Sequence, residues 1–254
     1  MHTTHGLKSC TQLEARTDRY IKRMLLINSE QSIPRTDNDL LDYCKSTRKG
    51  FALATKYQQC LPPFPRQILA LMLNGAGKAV RYICDDNSRR SQVLDYLTCL
   101  KTENIGRVHS LVGRTLSIMD YIGTNVTSDV MILPYSCCTY HFLYDRSIRL
   151  LNTLCPDKSA SVTQLIGTLL ELTLSEVIDI GCSKYSTLST CVAKIPQAME
   201  NIKSARSSSN KSLEDRSFVE PILRISNRLI DDPTKEDSNN SKRIGELEKP
   251  QHVH

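Results

Sequence analysis

The chain has 254 residues, with 33 Lys and Arg against 27 Asp and Glu, giving a formal charge of +6. Hydrophobic residues make up 40% and charged residues 24%, ordinary proportions that exclude wholesale disorder. A pI near 8.8, four Phe and no Trp leave too little basicity and too few stacking platforms for a dedicated nucleic-acid protein.

The first ten residues, Met1 to Cys10, contain no apolar core of the length a secretion signal needs. The nearest apolar patch, Met24 to Ile27, is too short. Thr36 and Asp39 then form a capping box at a helix start, with Pro34 just ahead. Leu69, Met72, Leu73, Ala76, Val80, Ile83 and Cys84 recur in steps of three and four, as one helical face does. Gly75 and Gly77 interrupt that face, each costing ~1 kcal/mol against Ala unless a neighbour packs closely there. Val93, Leu97 and Leu100 continue the period, followed by Ile105, Val108, Val112 and Met119. After Pro134 comes a stripe through Cys137, His141, Tyr144, Ile148, Leu151 and Cys155. Ser161 and Gln164 read as a second capping box, opening a helix with Val162, Ile166, Leu169, Leu170, Val177 and Ile180. That run is apolar, but Glu171, Glu176 and Asp179 keep it below the ~20 uninterrupted apolar residues of a bilayer span. No membrane span is expected. Strand-like alternation is missing throughout, so the expected fold is all-α.

Composition changes after Cys191. Residues 192–254 hold no Cys, carry five Ser between Ser204 and Ser212, and read as a polar, largely disordered tail. Phe218, Ile222, Ile225 and Leu229 form an apolar island within it, an amphipathic helix over 213–230. The expected organisation is therefore a cysteine-rich helical domain, 1–191, followed by a flexible C-terminal tail, 192–254.

The ten cysteines, Cys10, Cys44, Cys60, Cys84, Cys99, Cys137, Cys138, Cys155, Cys182 and Cys191, are an even set confined to the domain. They read as a disulfide framework formed in an oxidising compartment. Without close Cys pairs two residues apart, zinc is not expected. Neighbouring helical side chains diverge by ~100°, so Cys137 and Cys138 should reach different partners. The other connectivity stays open. Asn125, Asn210 and Asn239 each head an acceptor sequon for N-glycosylation. The expected location is extracellular, with the leader missing from this sequence; the alternative is cytoplasmic.

Motifs for catalysis fail on inspection. Gly75, Ala76, Gly77 and Lys78 hint at a phosphate loop, but Met72 stands where its first Gly belongs and Ala79 where Ser or Thr belongs. His141 lies one turn from Cys137 and near Cys138, a possible Cys–His pair that crosslinking would disable. Asp85 and Asp86, beside Arg89 and Arg90, suit a helix start. No catalytic residue, metal site or cofactor is assigned.

The spacing resembles that of a family of arthropod secreted proteins typified by the 27-kDa haemolymph glycoproteins. The matching positions are Ile33 to Thr36 with Leu40 and Cys44, then Tyr57, Cys60, Leu61, Arg66, Gln67 and Cys84. Cys137, Cys138, Tyr140, Cys155, Cys182, Tyr185 and Cys191 follow. The chain departs from the pattern at Arg146 and near Ala52 and Ala54, where the family has further cysteines. The resemblance implies a secreted, crosslinked helical glycoprotein with no established enzymatic activity. The expected function is extracellular binding or carriage of an unidentified ligand, with a large dry pocket of Leu, Ile and Met as a carrier's signature. The alternatives are an enzyme whose site is dispersed in sequence, and an intracellular helical scaffold.

Overall fold

A computed structural model describes residues 3–27, 33–206 and 211–229. Among these are ten α-helices and no strand: α1 (Thr3–Met24), α2 (Asp37–Gln58), α3 (Pro63–Cys84), α4 (Asn87–Leu97), α5 (Ile105–Asn125), α6 (Ile132–Leu154), α7 (Ser159–Gly181), α8 (Leu188–Lys194), α9 (Pro196–Ser204) and α10 (Val219–Arg228). The all-α expectation holds.

Local chemistry sets most helix ends. Thr36 accepts from the Asp39 N–H, while the Asp39 carboxylate accepts from the Thr36 N–H at 2.9 Å, closing the capping box at α2. Asp86 caps α4 by accepting from Arg89 N–H, and Thr187 caps α8. The second expected box is absent. A 3₁₀ turn at Pro156–Lys158 runs straight into α7, so the helix begins at Ser159 and Ser161 already lies inside it. Pro156 starts the turn at no cost, because the first N–H of a helical turn has no partner anyway.

α2, α3 and α4 pack around Leu40, Cys44, Cys84 and Val93, with Leu165 of α7, and α1 lies against α2. α5, α6, α8 and α9 enclose the main core, which includes Ile118, Ile122, Ile132, Phe142, Met199 and Ile202. The long crossing of α3 on α7 joins the two halves. It depends on Gly75, where a Cβ would run first into the Thr173 carbonyl oxygen and then into that of Leu172 at 2.7 Å. Lys78 and Glu176 pair across the same crossing at 2.5 Å. Gly75 and Lys78 thus belong to a helix contact and not to a phosphate loop.

α7 needs a qualification of the sequence reading. The stretch Pro156–Gly181, with a mean hydropathy of 1.2, is long and apolar enough to cross a membrane by length and composition alone. Here it lies along α3 and α6, and its Glu176 is ion-paired.

The boundary at Cys191 is corrected by the structure. Residues 192–206 are not a tail: Ala198, Met199 and Ile202 on α9 are 3%, 1% and 0% exposed, within the main core. The predicted helix over 213–230 is a 3₁₀ turn at Leu213–Asp215 followed by α10, and it docks. Arg216 is buried and donates to the Gly113 carbonyl at 3.0 Å and to Asp120 at 2.8 Å, both on α5. The Asp18 carboxylate of α1 accepts from the N–H groups of Phe218 (2.8 Å) and Val219 (3.1 Å), capping α10 from a distant part of the chain. Composition averaged over 63 residues hid these anchors. Residues 207–210 and 230–254 of the expected tail lie outside the described residues.

Candidate functional site

All ten cysteines are paired: Cys10 with Cys60, Cys44 with Cys84, Cys99 with Cys155, Cys137 with Cys182, and Cys138 with Cys191. The vicinal pair diverges as expected, one sulfur tying α6 to the end of α7 and the other tying α6 to α8. Tyr185 lies in the short 3₁₀ turn between them.

The second of these bonds builds a hollow of ≈ 270 Å³. Phe142, Asp145, Arg146 and Arg149 share one face of α6, spaced three and four residues apart. The Cys138–Cys191 bond, one turn below Phe142, holds α8 against that face, so Leu188 and Val192 form a second wall. Met199 and Lys203 of α9 close the third side. Phe142 (4% exposed) and Met199 (1%) make an apolar floor, and Val192 (46%) reaches the open mouth.

The rim is basic. The Arg146 guanidinium lies 5.4 Å from the Phe142 ring centroid and that of Arg114, from α5, lies 5.5 Å from it. Each is within the range of a cation–π contact, but one ring offers each cation only a partial counter-field. Arg149 pairs with Asp145 at 2.8 Å, and that hydrogen bond, followed by the carboxylate's charge, raises its pKa further. Lys203 pairs with Glu200 at 2.7 Å. Arg114 donates to the Lys203 carbonyl, a neutral acceptor. Among the described residues, Arg114 and Arg146 have no carboxylate partner within ion-pair distance. The unpaired Arg146 guanidinium over this apolar floor, with the positive charge of Arg114 near the same ring but outside the lining, complements a carboxylate or similar anion carrying a hydrocarbon group.

This is not the large dry pocket expected of a carrier, because it is small, open and rimmed by arginine. The residues that form it were not singled out by the sequence, and Arg146 attracted notice only as a position lacking Cys. The signal was present in the spacing of 142, 145, 146 and 149.

The other sequence candidates fall elsewhere. His141 keeps a buried Nε2 without a hydrogen-bond partner, and burial pushes its imidazole pKa down against the opposing pull of the Tyr185 backbone. Cys137 and Cys138 are both in disulfides, so no thiol is available to His141. Asp86 serves as a helix cap, and Asp85 pairs with Arg48 at 2.5 Å. Among the described residues no group of three His, Cys, Asp or Glu is placed to hold a metal. Asn125 is exposed at the end of α5, whereas Asn210 and Asn239 lie outside the described residues. Compared with family models, curated proteins and solved structures, the chain matches none.

Proposed function

We propose that the chain is a secreted, non-enzymatic binding protein of extracellular fluid, of the haemolymph glycoprotein kind, and that it takes small amphipathic anions. The observation that carries the binding role is the carboxylate-free guanidinium of Arg146, which lines the hollow beside its apolar floor, with Arg114 near the same Phe142 ring but outside the lining. A carboxylate there would gain charge-assisted hydrogen bonds from Arg146, while its hydrocarbon chain covers Met199 and Val192. Five disulfides with no free Cys support the extracellular location, since such bonds persist where thiols are not kept reduced. The framework is also why catalysis is not proposed: the thiols that could have served His141 are consumed by it.

Calorimetric titration with octanoate and with octanol tests the reading. The two probes share a hydrocarbon chain and differ in charge. Octanoate should bind at least about tenfold more tightly, a gap of about 1.4 kcal/mol. Equal affinity, or no heat with either probe, would remove the anion site from consideration.

A further inference from the structure

A second hollow, ≈ 490 Å³, opens where α5 ends beside the start of α6 and the start of α9. α5 stops at Asn125 because Val126 turns extended (φ −73°, ψ 111°) and buries its side chain to 6% exposure. The sequon of Asn125, Val126 and Thr127 therefore straddles a helix end, with Asn125 and Thr127 exposed and both on the wall of the hollow. The Thr124 hydroxyl donates to Asn125 Oδ1 at 2.7 Å, and among the described residues the carboxamide makes no other hydrogen bond.

Facing Asn125 is a surface unlike the arginine-rimmed one. Tyr121 and Tyr135 lie with ring centroids 6.2 Å apart, tilted by 44°. Asn201 Nδ2 donates to the Tyr135 hydroxyl at 2.8 Å, and Gln197 Nε2 donates to Asn201 Oδ1 at 3.3 Å. Burial, then the adjacent Tyr135, raises the Tyr121 pKa, so its hydroxyl is a neutral donor at physiological pH. Tyr135 is 7% exposed and belongs to the main core, so the half-buried Tyr121 ring supplies the aromatic face, and with the flanking carboxamides it matches a sugar, which presents an apolar C–H face and a ring of hydroxyls and acetamido groups.

We propose that the first sugar residues of an N-linked glycan on Asn125 occupy this hollow. The proposal rests on the secretory part of the function proposed above and not on its anion site. The modification forms a bond between Asn125 Nδ2 and the anomeric carbon of a lipid-pyrophosphate-linked oligosaccharide. The bond from that carbon to the pyrophosphate breaks, the lipid pyrophosphate leaves, and the amide nitrogen loses one proton. Sugar–aromatic contacts are weak between separate molecules, but a tethered sugar meets the Tyr121 ring at an effective concentration in the millimolar range. Docking needs no other occupant, and it leaves the Arg146 hollow as the open site for a free ligand.

The test uses the full chain carrying Asn210→Gln and Asn239→Gln, directed to the medium of eukaryotic cells by an added leader. Peptide mass mapping reads Asn125 occupancy, and NMR of the acetamido methyl groups reads docking. Glycosylated Asn125 should show an acetamido methyl resonance moved by the tyrosine ring currents. That resonance should return to the free-sugar position in Tyr121→Ala, and native enzymatic release of the glycan should become about tenfold faster in both Tyr121→Ala and Gln197→Ala. The exposed Gln197 is the variant that should leave the melting temperature unchanged. Secreted protein with unmodified Asn125 overturns the site but not the secretory reading. Modified Asn125 with a free-sugar resonance and unaltered release overturns the seat alone. A chain retained in the cell overturns the secretory reading and the seat with it.

Discussion

Ile202→Ala measures how far the segment after Cys191 belongs to the core. Ile202 is fully buried, in one cluster with Ile118, Ile122, Phe142 and Met199. The substitution deletes three carbons, worth ~0.8 kcal/mol each in transfer alone. The neighbours are held by α5, α6 and the Cys138–Cys191 bond, so the vacated space closes only partly and adds a cavity cost. The sum is about 3–4 kcal/mol. At about 2–4 °C per kcal/mol for a chain of this size, Tm should fall by roughly 6–16 °C in oxidised protein followed by circular dichroism. Val192→Ala, ten residues earlier and 46% exposed, should shift Tm by less than about 2 °C. If Ile202→Ala melts with the parent protein, residues 192–206 are an appendage after all, and the domain does end at Cys191.

The two interrupting glycines of α3 should behave oppositely. Gly75→Ala should cost about 1–3 kcal/mol by pushing against the Leu172 and Thr173 carbonyls, whereas Gly77→Ala, whose Cβ meets only Arg81 at 3.6 Å, should be neutral or stabilising by up to ~1 kcal/mol in chemical denaturation. Peptide mapping of unreduced protein should return the five pairs described above; reduction should unfold the chain, since each bond spans 40–56 residues and is worth ~3–4 kcal/mol against a typical total of 5–15. A reduced form that keeps its Tm would mean the crosslinks are incidental. His141 has a folded pKa below its unfolded value of about 6.5, so its contribution is complete above that pH and is lost as pH falls toward the folded pKa. His141→Gln should therefore flatten the fall of Tm on acidification below about pH 6.5; an unchanged slope would place the acid sensitivity elsewhere.

The all-α fold was legible because periodic apolar stripes and one capping box carry strong local signals. Thr36 and Asp39 act as their spacing suggests. Ser161 does not, because the constraint that starts α7 is the Pro156 turn, five residues upstream. The divergence of Cys137 and Cys138 was also legible, since helix geometry alone forces it. The docking of α9 and α10 was not. Met199 and Ile202 are sparse apolar residues in a polar context, and their burial comes from α5 and α6, which lie well upstream in sequence. Asp18 capping α10 and Arg216 anchoring to Asp120 are likewise tertiary events with no local signature. The arginine-rimmed hollow was missed for a related reason. Its face on α6 is readable, but the facing walls come from α8 and α9, and only the Cys138–Cys191 bond brings α8 opposite Phe142.

Reversing one rim charge tests the anion site most directly. Arg146 is exposed and makes no hydrogen bond or ion pair among the described residues, so Arg146→Glu should leave Tm unchanged within about 2 °C. In side-by-side calorimetric titrations, the variant should lose octanoate affinity by about tenfold or more and gain affinity for octylammonium, as expected when a like charge replaces an opposite one. Octanoate binding that survives Arg146→Glu unchanged, in a variant that folds like its parent, would contradict the assignment of this hollow as the ligand site.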